Sequence, residues 1–174
     1  MHSNDKRLDQ VAPDSLCKEE KRVSNGDKFV SHLKASEDAR WFVARWLSGR
    51  GHTVTLKPLA IAPTPDKIYD YVDDGDIHTE LGRFEVKRLG VDFTNAADWP
   101  FRDYIVCGKN AWDRADPKPY AFVTLSSNMK FAGVLIPDPE TWWVKTIVDK
   151  RYDNYSQEFY LTKTNAVKFV KVLL

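Results

Sequence analysis

The chain has 174 residues, 43% hydrophobic and 29% charged, with a formal net charge of +1. That is the composition of a water-soluble folded chain, long enough to bury a sizeable core. It excludes a membrane-spanning helix, since no run approaches about 18 apolar residues, and near-neutrality gives no electrostatic argument of its own for a polyanionic partner.

Residues 1–27 are polar and of mixed charge without a clear apolar period. They read as a flexible arm preceding a single domain over 28–174. Cys17 lies in this arm and Cys107 in an apolar run. Neither has metal-ligand spacing, and no disulfide framework is expected, which points to a reduced, cytoplasmic compartment. The N-terminus is too polar for a signal peptide.

A helix follows. Ser31 or Ser36 can cap it, and Glu37 and Asp38 suit the positive end of its dipole. Ala39, Phe42, Val43, Trp46 and Leu47 recur at helical spacing, and Gly49 and Gly51 stop it. His52 to Leu59 alternates as a first strand, Lys67 to Val72 as a second and Arg83 to Leu89 as a third. Tyr104–Cys107, Tyr120–Leu125 and Phe131–Ile136 are further strands, with a short helix or turn at 110–114. Residues 141–148 suit helix or strand, Phe159–Leu161 looks extended, and 166–174 could end the chain as either element.

The stretch from Asp76 to Lys87 reads as a tight hairpin with its turn at Leu81-Gly82. Alternate side chains of a strand share a face. Glu85 and Lys87 therefore project together, while Phe84 and Val86 point into a core. Folding about Leu81 sets Asp76 opposite Glu85, so two carboxylates and one ammonium share a neighbourhood. Such a pair repels unless neutralised, and a divalent cation does this well through oxygen ligands. A lysine beside it can orient or deprotonate a water. A solvated strand face carrying an ion pair would show the same triplet.

The order helix, strand, strand, strand, with Asp76 and then Glu85-Val86-Lys87 on the last two strands, resembles the PD-(D/E)XK nuclease superfamily. That group includes type II restriction enzymes, Holliday-junction resolvases and phage exonucleases. The likeness spans 34–89, about a third of the chain by length. It implies an α/β fold: a central mixed β-sheet flanked by helices, with a restriction-endonuclease-like core. It further implies Mg²⁺, with Mn²⁺ as substitute, held by Asp76, Glu85 and the Val86 carbonyl. Lys87 would position the attacking water, and Glu37 would hold a second metal or a metal-bound water. The implied partner is nucleic acid, DNA first, with no membrane and a homodimer where both strands are cut. Gly75 stands where the motif name has proline, and Asp73 or Asp74 would serve in another register.

Two other readings stay open at this point. One is a nucleic-acid-binding or inhibitory protein of weak or lost catalysis on the same fold. The other is an interaction protein whose hairpin charges are only surface. His78 is a surface residue or an assistant near phosphate, and Arg83, Arg88, Arg102, Lys109 and Lys118 are available for phosphate contacts.

Overall fold

A computed structural model describes residues 25–58, 76–149 and 155–174. The first element, α1, is a helix over Asn25–Ser48. It starts upstream of the expected caps, so Ser31 and Ser36 lie inside it, and residues 25–27 belong to it rather than to an arm. Its end is as read from the glycines. Gly51 takes φ +91°, and the His52 amide bonds back to the Leu47 carbonyl while Gly51 bonds to Ser48. This is a Schellman closure, which needs a left-handed residue that glycine adopts without strain.

The strands are β1 (Ile77–Thr79), β2 (Gly82–Arg88), β3 (Tyr104–Gly108), β4 (Ala121–Leu125), β5 (Phe131–Leu135), β6 (Trp143–Asp149), β7 (Tyr155–Thr162) and β8 (Lys168–Lys171). A six-residue helix, α2 (Lys109–Arg114), follows β3. The strands form a five-stranded sheet in the order β1-β2-β4-β5-β8 and a three-stranded sheet in the order β3-β7-β6. The larger sheet is mixed. β1 runs antiparallel to β2, β2 parallel to β4, and β4-β5-β8 antiparallel. The α/β class and the mixed central sheet are therefore as expected.

Period-two alternation on β4 gives the larger sheet two apolar faces. Ala121, Val123 and Leu125, with Ile77, Phe84, Val86 and Ala132, pack against Ala39, Val43, Ala44, Trp46 and Leu47 of α1. Phe122 and Leu135 face the other way, into a cluster with Tyr104, Val106, Cys107, Trp112, Trp142 and Tyr160. The result is three layers: helix, five-stranded sheet, three-stranded sheet. Among the described residues, α1 flanks one face of the larger sheet and the three-stranded sheet covers the other. Parallel strands need a crossover of a dozen or more residues. Residues 89–120 supply it with β3 and α2 instead of a long helix, and β3 then recruits β7 and β6.

A second correction concerns the strand expected at 52–59: its described residues, 52–58, form a single bridge, Thr55 to His78. Its neighbouring groups are taken by side chains: the Thr53 amide by Glu80, and the Lys57 carbonyl by Arg40. Backbone groups satisfied by side chains have no need of a ladder. The strand expected at 67–72 and the alternative acids Asp73 and Asp74 lie outside the described residues.

Candidate functional site

The hairpin β1-β2 turns at Glu80-Leu81, one residue earlier than the expected Leu81-Gly82, and keeps the expected facing of Asp76 and Glu85. Ile77 pairs with Phe84, His78 with Arg83 and Thr79 with Gly82. Continued by one residue, that register sets Asp76 across from Glu85. Gly82 opens β2 at φ +126°, and its missing side chain admits Tyr120, whose Cβ would lie 3.1 Å from an added Cβ. The Glu80 carboxylate ties the turn to the chain after α1, through the His52 ring at 2.5 Å and the Thr53 amide at 3.0 Å.

Asp76 is a junction between layers. Its Oδ2 accepts from the Val86 amide at 2.6 Å, and its Oδ1 lies 3.3 Å from Arg40 Nε. Its main-chain carbonyl accepts from Arg40 Nη2 at 3.1 Å. Glu85 Oε1 lies 3.1 Å from Arg83 Nη2. Both carboxylates are about one-fifth exposed, 20% and 21%. A strand residue turns its N–H and C=O to the same side. The Val86 amide reaches Asp76, so the Val86 carbonyl is on that edge too, while the Val86 side chain is in the core against α1.

Lys87 projects into the layer between the two sheets. Its Nζ donates to the Val106 carbonyl of β3 at 2.5 Å. Burial lowers its pKa, and the nearby Cys107, Glu85 and Asp76 oppose that shift. Desolvation disfavours an ammonium, and nearby negative charge favours it. Cys107 is buried, and its thiol is pushed up to about 11 by the same loss of solvent.

Asp76, Glu85, Val86 and Lys87 are thus brought together. Glu37 is not brought into their cluster: among the described residues, no three His, Cys, Asp or Glu side chains converge. Glu37 lines a cleft of about 180 Å³ with Arg40, Trp41, Leu56, Lys57 and Pro58, one helical turn from the arginine that holds Asp76.

Two partners of these residues, Arg40 and the Val106 carbonyl, are not among the residues the sequence points to. Arg40 is in phase with Val43, Ala44 and Leu47, so a charge at a core position was the available signal. The β3 contacts of Lys87 carry no local signal at all, because they depend on the crossover. Among the described residues no helix is long and apolar enough to cross a membrane. No protein-family model, curated protein or solved structure matches the chain.

Proposed function

We propose that the chain is a metal-dependent nuclease that hydrolyses phosphodiester bonds of nucleic acid, DNA first. One observation carries the reading: the Asp76 carboxylate meets the Val86 amide at 2.6 Å, on the strand that carries Glu85 and the buried Lys87. The donor set fits Mg²⁺ or Mn²⁺, which take hard oxygen ligands and keep waters. Two carboxylates and the Val86 carbonyl are such donors, and each carboxylate has about four lone-pair sites, more than its arginine and amide partners use. When bound, the cation supplies Lewis acidity toward a phosphoryl oxygen and a water.

The protein's own groups do the rest. Asp76 is fixed by Arg40 and the Val86 amide, so its carboxylate is oriented before any ligand arrives. Lys87 is aimed by the Val106 carbonyl, and its lowered pKa eases release of a proton from Nζ. A group so placed can orient the nucleophile and exchange a proton with it.

The test is a cleavage panel with Mg²⁺ and Mn²⁺ on linear, circular, single-stranded and four-way DNA, with RNA alongside. Lys87→Ala should lower the rate roughly 10²–10⁴-fold and leave the circular dichroism and Mn²⁺ binding in place. Lys87→Arg should restore little, since a guanidinium stays protonated. A protein that binds these nucleic acids but cleaves none would favour a binding or inhibitory role. Wild-type rates in Lys87→Ala would remove the mechanism.

A further inference from the structure

The two arginines that neutralise the site acids are held very differently. Arg40 has a 6% exposed side chain and is satisfied by the Lys57 carbonyl at 2.7 Å, the Asp76 carbonyl and the Asp76 carboxylate. Arg83 is equally withdrawn, at 9% side-chain exposure, and its Nη2 makes the ion pair with Glu85. Its Nε is buried without a hydrogen-bond partner. A buried donor left unpaired carries the full cost of its desolvation, more for a charged group. A buried ion pair is favourable only where further hydrogen bonds satisfy the remaining donors. The Arg40 pair meets that condition and the Arg83 pair does not.

The surroundings of Arg83 favour a second anion. His78 faces it across the hairpin. The His78 pKa is lowered by burial and then by the charges of Lys57 and Arg83. A guanidinium presents Nε and Nη2 as a side-on fork matched to two oxygens of a carboxylate or a phosphate. Glu85 uses one prong of that fork.

We propose that Arg83 couples cation binding to phosphate binding: it neutralises Glu85 in the cation-free protein, and transfers its Nε and Nη2 donors to a phosphodiester when Glu85 engages a divalent cation. The inference rests on the nuclease reading and adds a residue whose role is exchange. The charge logic is closed. Without the exchange, the cation binds Glu85 beside the like charge of the Arg83 guanidinium, which weakens its binding. With it, the displaced guanidinium recovers both hydrogen bonds on the substrate. Cation and nucleic acid then each strengthen the other's binding, and that reciprocity is a thermodynamic requirement.

The experiment is calorimetric titration of Mn²⁺ into wild type, Arg83→Gln and Arg83→Lys, alone and with a short DNA duplex carrying nuclease-resistant phosphorothioate linkages. Without DNA, Arg83→Gln should bind Mn²⁺ about fivefold tighter or more, the low end of coupling between linked sites. DNA should tighten Mn²⁺ binding to wild type by a similar factor and leave Arg83→Gln unmoved. Arg83→Lys keeps the charge beside Glu85 but lacks the fork, so it should match wild type without DNA and lose the coupling. It also guards against misfolding of the glutamine variant. Equal or weaker Mn²⁺ binding in Arg83→Gln, or coupling that survives in both variants, overturns the proposal. If wild type cleaves DNA and Arg83→Gln titrates like wild type, the exchange alone is wrong. If no variant binds Mn²⁺ and wild type cleaves nothing, the nuclease reading falls and takes Arg83 with it.

Discussion

Cys107 and Lys87 sit side by side between the sheets, and each pKa reports on the other's surroundings. Burial raises the thiol from 9.0 to about 11, against the pull of the Lys87 charge. At pH 8 only roughly one folded molecule in a thousand would carry the thiolate, which is the reactive form. In a Cys17→Ser background, iodoacetamide should leave the native protein unlabelled at pH 8 and label it promptly in denaturant. The folded protein's rate should still be climbing between about pH 10 and 11, where the unfolded chain has levelled off. Prompt labelling of native protein at pH 8 would mean that β3 does not pack over Lys87. The alternation of β2 was enough to pair Glu85 with Lys87 on one face. It could not foretell that the face is roofed, because Val106 is 19 residues further along.

Among the elements, α1 and the hairpin share an apolar core and are also tied by the polar side chain of Arg40. Arg40 spans from the helix to the Lys57 and Asp76 carbonyls and to the Asp76 carboxylate. Replacing it with methionine keeps the apolar stem but takes the guanidinium away from both carbonyls and from a largely buried carboxylate. Breaking a buried pair from one side costs about 3 kcal/mol or more, or roughly 10 °C in Tm for a chain of this size. A loss under about 1 kcal/mol would show that water replaces the guanidinium. The hairpin and the facing of Asp76 with Glu85 are legible in the sequence, since strict alternation leaves few other pairings, although the turn falls at Glu80-Leu81, one residue before the expected place. Alternation of Val54 and Leu56 predicts a strand after α1, but it marks only a half-buried extended chain with a single bridge. Whether that chain joins a ladder is decided by Arg40 and Glu80.

Across the whole molecule, the sequence disclosed the larger sheet far better than the smaller. Tyr120–Leu125 and Phe131–Ile136 are apolar runs bounded by turn residues, and they became the antiparallel pair β4 and β5. The smaller sheet is a partner for one face of the larger, so its strands alternate weakly. Val144 and Val148 of β6 stay exposed, while Trp112 of α2, Trp142 just before β6 and Tyr160 of β7 do the packing. Such a layer is defined by what it covers, and a local pattern does not carry that information.

The parallel pairing of β2 with β4 also sets an order in time. The hairpin is local: it can close as soon as residues 76–88 exist, on the microsecond scale typical of hairpins. The roof over Lys87 is not local, because β3 has β7 as its strand partner, about fifty residues later in the chain. Loop-closure entropy delays such contacts. Pulsed hydrogen exchange during refolding should find the amides of the β1–β2 pairing, within 77–84, protected before those of 104–108, and simultaneous protection would contradict this order. A chain still being made would hold Asp76, Glu85 and Lys87 together while Lys87 remained solvated, with an ordinary lysine pKa. The residues of the site are present early, and the environment that tunes them arrives last.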